Sequence, residues 1–154
     1  MQTVALIAQN NLTSTDSTGG AEPVRKNEGD IFMKCGKILS PMTGETVGLG
    51  EVPDPVFSQK IIGDGMAVIP SEGKLLSPVD GEVISVADTK HAFGLRTAEG
   101  LELLIHVGLE TVHLKGECFQ VFVKPGDKVK AGDLLAEVDL AYLKEREINP
   151  ITPV

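Results

Sequence analysis

The sequence predicts an all-β domain, a compact antiparallel β sandwich or barrel with a duplicated hairpin motif and one or two short helical turns. Turn-forming residues are abundant, with 17 glycines and 9 prolines in 154 residues, whereas Trp is absent and Tyr occurs once. From residue 31 onward, turn signals interrupt short apolar runs at intervals of about ten residues, a spacing typical of sandwiches and barrels. Only Leu140–Glu147 has a clear helical pattern, closed by Pro150, and Pro55–Lys60 is long enough for one further turn.

Residues 1–30 are predicted to be a flexible N-terminal arm or an interdomain linker, and residues 31–154 to be one folded domain. Positions 9–30 are rich in Ser, Thr, Asn and Gly, so they bury too little apolar surface to offset the entropy of ordering. Met1–Ala8 lacks the basic start and long apolar stretch of a signal peptide, and no later run is long enough to cross a bilayer. A cytoplasmic location is therefore expected.

The charge and the cysteine content of the chain argue against several classes of function. The net charge is −8 and no basic stripe is visible, which argues against nucleic-acid binding. The two cysteines, Cys35 and Cys118, lie far apart and form no Cys-x-x-Cys pair, so we expect two reduced thiols. Neither a metal centre nor a cofactor is predicted.

An internal repeat supports the β architecture. The segment Ser40–Val47, SPMTGETV, recurs 37 residues later as Ser77–Ile84, SPVDGEVI. Each copy has Pro at the first central position of a turn and Gly at its end, with a strand to follow. Two such hairpins in one small domain predict a duplicated β motif that closes on itself.

His106 lies in a strand pattern with two distinct faces. Alternation along the strand separates Leu101, Leu103, Ile105 and Val107 from Glu102, Leu104, His106 and Gly108. The first set is apolar and predicts the buried face.

His91 opens the preceding strand, and the register between the two strands decides whether the histidines meet. A two-residue turn at Glu99–Gly100 would pair Phe93 with His106 and His91 with Gly108. In that register the two imidazoles share a face as diagonal neighbours. A slip of one residue would place them on opposite faces.

Two imidazoles on one face would be able to hold a phosphoryl group between them. A neutral imidazole is nucleophilic near pH 7, and apolar neighbours such as Leu104 and Phe93 would lower its pKa and keep it neutral. Phosphoryl transfer needs alignment and donors for the equatorial oxygens, which a second imidazole and a hydroxyl supply. Gly94 and Gly108 would leave room for a partner's group. On spacing alone, a histidine with a structural role in the core explains the pattern equally well.

Several sequence motifs indicate a particular protein family. They are Gly63-Asp-Gly65 within KIIGDGMAVIP, Thr89-Lys-His91-Ala-Phe93, Leu104-Ile-His106-Val-Gly108 followed by Thr111-Val112, Leu114–Phe119, and the closing Thr152-Pro-Val154. Together they resemble the glucose-family enzyme IIA of the bacterial phosphoenolpyruvate-dependent sugar phosphotransferase system, over about Cys35 to Val154. The resemblance implies a compact antiparallel β sandwich whose active-site histidines lie in a shallow depression.

The resemblance also implies residue roles. His106 would be phosphorylated through Nε2, His91 would stabilise the phosphoryl group, and Thr89 would orient His91. The donor would be the phosphohistidine of the phosphocarrier protein HPr, and the acceptor a cysteine on a sugar-specific IIB domain. The chain is thus expected to be a phosphotransferase component that relays phosphate for sugar uptake and meets the membrane only through the transporter.

Partner docking is expected on an apolar rim, whose predicted members are Val52, Phe57, Phe93 and Val107. Glu110 is expected at the same surface and stands where the family commonly has Asp, so a carboxylate is retained. Family members usually continue past the Thr-Pro-Val segment with further strands. The domain is therefore expected to lack the usual C-terminal strands.

Other readings of the sequence remain. Residues 123–137 resemble half of a biotinyl or lipoyl carrier hairpin, but the Met33-Lys34 dipeptide that such a carrier would modify lies at the wrong end of the chain. A zinc peptidase would need more ligands than His91 and His106, although these two would suffice for a metal ion at a protein interface. A purely regulatory binding domain would use the same site, because a phosphoryl charge in an apolar depression changes partner affinity. The domain is expected to act either as a separate protein or as part of a larger permease.

Overall fold

The computed structural model describes residues 37–154, and in this part of the chain the fold is almost entirely antiparallel β. The strands are β1 (Gly44–Gly48), β2 (Met66–Pro70), β3 (Lys74–Leu76), β4 (Gly81–Val86), β5 (Ala92–Arg96), β6 (Glu102–His106), β7 (Phe119–Val121), β8 (Lys128–Val129), β9 (Leu134–Val138) and β10 (Thr152–Pro153). The two α-helices are α1 (Pro55–Ser58) and α2 (Leu140–Glu145). Short 3-10 turns cover Leu49–Glu51 and Thr111–Leu114. The predicted all-β class is confirmed.

The strands form three small sheets with the orders β1-β2-β10, β3-β9-β7 and β6-β5-β4-β8. Every strand pair is antiparallel. One large core lies between the sheets, and its fully buried side chains include Phe93, Leu95, Ile105 and Leu135. A smaller cluster around Leu49 and Val52 lies under the loop that carries α1.

The predicted arm at residues 1–30, and the predicted start of the domain at residue 31, lie outside the described residues.

Both helical predictions are confirmed, and each helix has a side-chain cap. Asp139 accepts a hydrogen bond from the backbone of Tyr142 at 3.0 Å and begins α2. Asp54 accepts from Val56 N at 2.8 Å, and Pro55 follows at the first helical position, where its missing N–H costs nothing. Capping therefore explains why so short a segment as Pro55–Ser58 becomes helical.

The sequence repeat corresponds to a structural repeat. Ser40 Oγ donates to Met42 O and Ser77 Oγ donates to Val79 O, both at 2.7 Å. Each copy also accepts a hydrogen bond from the residue that precedes the other copy, because Leu39 N donates to Pro78 O at 2.9 Å and Leu76 N donates to Pro41 O at 2.8 Å. Each turn leads into a strand, β1 or β4, that pairs with the strand after it. The predicted duplicated motif is therefore present and joins the two halves of the fold.

The predicted register between β5 and β6 is wrong by one residue. Arg96 pairs with Glu102 and Ala92 with His106, so three residues, 98–100, form the loop. Thr97 Oγ1 accepts a hydrogen bond from Leu101 N at 3.2 Å. Gly100 has φ +87°, the left-handed position that closes a three-residue hairpin loop. The longer loop shifts Phe93 opposite Ile105 and onto the core side of the sheet.

Candidate active site

His106 is the last residue of β6, and its ring projects from the outer face of the four-stranded sheet. The alternation predicted for this strand is confirmed, since Leu103 and Ile105 are buried while Glu102 is exposed and Leu104 and His106 are half-buried. Its Nδ1 lies 2.8 Å from the carbonyl oxygen of Gly108. A carbonyl only accepts, so Nδ1 carries the proton and Nε2 of the neutral ring keeps a free lone pair.

His91 reaches the same place despite the register change. It lies just before the first residue of β5 and follows Lys90, whose φ is +61°. Strict alternation would turn His91 toward the core, but the strand has not yet begun at this residue. The His91 and His106 rings are 4.8 Å apart between centroids and nearly perpendicular, at 77°. The predicted meeting of the two imidazoles is thus confirmed, although the register expected to produce it is not.

Thr89 lies beside His91. Its Oγ1 is 2.6 Å from Nδ1 of His91. This contact fixes the ring at its Nδ1 edge, so that the Nε2 edge is left for another group. The backbone links the two histidines as well, because Val107 N donates to His91 O at 2.7 Å.

Both imidazoles have a pKa below the ordinary value. For His91 burial is the main cause, and the neighbouring His106 lowers the pKa further. Burial also lowers the pKa of His106, against the opposing effects of the Gly108 carbonyl and the charge of Asp54. Two rings in contact cannot both be charged without repulsion. Both are therefore neutral near pH 7.

Phe57 of α1 covers one side of His106, with 5.1 Å between ring centroids and 57° between ring planes. Asp54, the cap of that helix, contributes the carboxylate whose charge acts on His106. Asp54 was not among the site residues predicted from the sequence. The Asp-Pro pair at the start of a predicted helical turn was the available signal.

The predicted docking rim needs correction. Val52, Phe93 and Val107 are exposed by only 2%, 0% and 0%, so they belong to the core and cannot meet a partner. Phe93 and Val107 lie on the inner face of the sheet, and Val52 packs under the α1 loop. Phe57 is half-buried and Glu110 is exposed, so both stay available at the surface.

Gly94 and Gly108 also serve the chain itself and not a partner. A Cβ on Gly94 would lie 2.3 Å from Ser85 Oγ, and one on Gly108 would lie 2.6 Å from Thr111 Cγ2. The space beside each glycine is therefore already filled. Gly108 in addition has φ +72°, which favours glycine.

Exposed apolar side chains lie next in the chain to Phe57 and on the turn that follows it. Val56, Ile61 and Ile62, on α1 and the turn after it, are exposed by 40%, 67% and 56%. Next to them an open groove of about 390 Å³ runs over the outer face of the sheet. Its walls include Phe57, Ile62, Ile84, Gly94, Leu104 and Val154. The histidines thus lie beside an apolar surface that includes the predicted rim residue Phe57, whereas its other members were not predicted.

Within residues 37–154 no three His, Cys, Asp or Glu side chains are grouped as a metal site would require. None of the helices described there is long and apolar enough to cross a membrane.

The chain is similar to several known proteins in sequence and in fold. Residues 36–154 match the family model for the phosphoenolpyruvate-dependent sugar phosphotransferase system, EIIA 1. The chain is 54% identical over 133 residues to the glucosamine-specific EIICBA component of Bacillus subtilis, covering 86% of this chain but only 20% of that protein. It is 50% identical over 117 residues to the glucose-specific EIIA component of Halalkalibacterium halodurans, covering 76% of this chain and 68% of that one. Among solved structures it resembles the glucose permease IIA of Mycoplasma capricolum, with a TM-score of 0.71, 39% identity, and coverage of 76% and 77% of the two chains.

Proposed function

Because the chain belongs to the EIIA 1 family of the phosphoenolpyruvate-dependent sugar phosphotransferase system, we propose that it is a phosphoryl carrier for sugar uptake and that Nε2 of His106 carries the group. The observation that supports this most directly is the hydrogen bond from Nδ1 to the Gly108 carbonyl, which leaves Nε2 as the nucleophilic nitrogen. The lowered pKa keeps that nitrogen unprotonated near pH 7.

The reaction is a displacement at phosphorus. The lone pair on Nε2 of His106 forms a new N–P bond while the N–P bond of the donor, a phosphohistidine on HPr, breaks and returns its electron pair to the donor imidazole. In the second step a thiolate on a IIB domain attacks phosphorus and His106 leaves as the neutral ring. Alignment and charge stabilisation account for most of the acceleration in such transfers.

His91 supplies the second contact to the phosphoryl group. Its ring is 4.8 Å from that of His106 between centroids, which is close enough for the two rings to contact one phosphoryl group. Thr89 holds Nδ1 of His91 and so limits rotation of the ring. A protonated Nε2 on His91 would donate to the phosphoryl oxygens and stabilise their charge.

Docking of both partners is proposed on the apolar surface made by Phe57, Val56, Ile61 and Ile62, with Glu110 at its margin. These side chains are exposed or half-buried, in contrast to Val52, Phe93 and Val107. The EIICBA relatives have this domain as a small part of a longer chain. A permease partner is therefore proposed, either in the same polypeptide or in a separate one.

Intact-mass spectrometry after incubation with phosphoenolpyruvate, enzyme I and HPr tests the proposal. The expected result is one acid-labile phosphoryl adduct, absent in His106→Ala and present in His91→Ala, which should pass it to a IIB domain poorly. His113→Ala is the matched control, because His113 is exposed and outside the site. An unmodified protein whose circular dichroism is that of the folded domain would refute the carrier role and favour a binding-only function.

A further inference from the structure

The chain immediately after His106 is held by hydrogen bonds at three successive peptide groups. Val107 N donates to His91 O at 2.7 Å, and Val107 O accepts from Thr111 Oγ1 at 2.7 Å. The next peptide group joins Gly108 to Leu109. Its carbonyl accepts from His106 Nδ1 at 2.8 Å, and its N–H donates to Asn149 O at 2.9 Å.

The last of these groups links His106 to the C-terminal segment through one rigid plane. A peptide C=O and the following N–H are coplanar and point in opposite directions. The bond from Leu109 N to Asn149 O therefore sets the direction of the Gly108 carbonyl. Hydrogen bonds in such a chain also polarise one another, so each strengthens the next.

Thr111 supports the same turn from the inside. It is fully buried, its hydroxyl donates to Val107 O, and its methyl carbon lies only 2.6 Å from where a Cβ on Gly108 would be. Glu110 has φ +57°, a left-handed conformation that is unfavourable for a residue other than glycine, so this turn needs support from its surroundings. Thr111 belongs to one of the sequence motifs above but was not predicted to have a role of its own.

Asn149 is itself fixed by its side chain. Its Oδ1 accepts from Ile151 N at 3.0 Å, an Asx-type turn that orients the Asn149 backbone. Thr152 Oγ1 donates to Pro150 O at 3.0 Å in the same segment, and Ile151 is buried. The acceptor for Leu109 N is therefore held in place.

We propose that Thr111 and Asn149 are positioning residues for phosphoryl transfer, which hold the Gly108 carbonyl against Nδ1 of His106 and so keep the proton off Nε2. This inference rests on the proposed role of His106. If the Gly108 carbonyl moves away, the neutral ring exchanges into the tautomer protonated at Nε2, which has no lone pair for phosphorus.

The test compares Thr111→Val, which keeps the shape but loses the hydroxyl, with Thr111→Ser, which keeps the hydroxyl. The ¹⁵N shifts of the His106 ring in the unphosphorylated protein report the tautomer, and rapid-quench phosphorylation by phospho-HPr reports the rate. For Thr111→Val we expect ring shifts that move toward tautomer averaging and a rate lower by roughly 2- to 10-fold, the range for loss of one hydrogen bond. Thr111→Ser should restore both readouts to within about twofold of wild type, allowing for variation of that size in mutational effects.

Asn149→Ala and Asn149→Asp form an independent pair, because Asn149 is exposed and Asp retains the acceptor for Ile151 N. The Ala variant should change the ring shifts in the same direction and Asp should not. Folded Thr111→Val and Asn149→Ala proteins with wild-type ring shifts and rates would overturn the proposal. If wild-type His106 is not phosphorylated, the proposed function fails, but the ring shifts still decide whether these residues set the tautomer.

Discussion

Replacement of Gly81 by Ala is the change for which the repeat geometry gives the sharpest stability prediction. Gly44 and Gly81 occupy equivalent places in the two copies, each at the first residue of a strand. A Cβ on Gly81 would lie 2.3 Å from Arg96 O, and one on Gly44 would lie 2.0 Å from Ile69 O. Both oxygens are backbone atoms of the neighbouring strand, so no side chain can rotate to relieve the overlap.

The loss of stability in Gly81→Ala follows from the 2.3 Å distance between the added Cβ and Arg96 O. To reach ordinary van der Waals separation, β4 and β5 would have to part by about 1 Å at this end, with weaker hydrogen bonds in the ladder. Insertion of a methyl group into a packed site costs about 1–3 kcal/mol, and rigid backbone on both sides places Gly81→Ala near the upper limit, at about 3 kcal/mol. For a domain of this size such a loss lowers Tm by roughly 10 °C.

Urea unfolding followed by circular dichroism measures the free energy of unfolding directly. Gly50→Ala is the matched control, because a Cβ there meets no atom within 4 Å. That variant should be as stable as wild type or slightly more stable, since Ala restricts the unfolded chain. If Gly81→Ala unfolds within about 1 kcal/mol of Gly50→Ala, the close approach of β4 and β5 at this position is refuted.

Three further predictions concern the site. Thr89→Val should slow phosphoryl transfer to a IIB domain by roughly 2- to 10-fold, while Thr89→Ser stays near wild type in the same rapid-quench assay, because only the hydroxyl contacts His91 Nδ1. Phe57→Ala should raise the pKa of His106 in an NMR titration, because removal of the ring admits water, whereas Phe57→Leu should change it less. The free energy of unfolding should fall as the pH drops through and below 6.5, because His91 and His106 bind protons more readily in the unfolded chain than in the folded one. The double variant His91→Gln, His106→Gln should show a weaker pH dependence in urea titrations at a series of pH values.

The parts of the fold that were predicted correctly depend on local signals. Alternation in Leu101–Leu109 identified the buried face because strand side chains have a period of two, whatever the partner strand. The Ser-Pro-x-x-Gly repeat identified both turns because Pro and Gly limit backbone angles on their own. Helix α2 was predicted within two residues of its end because its residues have a helical pattern and Pro150 closes the segment.

The parts that were missed depend on neighbours distant in sequence. The β5–β6 register was missed because the loop has one residue more than predicted. The pair Glu99–Gly100 fits a two-residue turn, but it fits equally well as the last two residues of a three-residue loop. His91 escapes the alternation of β5 because it lies just before that strand begins, after Lys90 at φ +61°, and lysine carries no sequence signal for that conformation. Val52 and Val107 were assigned to the docking surface, but apolar residues occur both in cores and at docking surfaces. Only the three-dimensional packing shows that these two belong to the core.

The groups around His106 also indicate why an imidazole here would release a phosphoryl group as well as accept one. Its Nδ1 contacts a neutral carbonyl, and the nearby carboxylate of Asp54 influences the pKa less than burial does. A carboxylate on Nδ1 would make a stronger, charge-assisted hydrogen bond, raise the basicity of the ring and strengthen its N–P bond. A carbonyl fixes the tautomer without that increase. A carrier has to pass its group on, so a weakly basic, well-oriented ring suits a relay better than a strongly basic one.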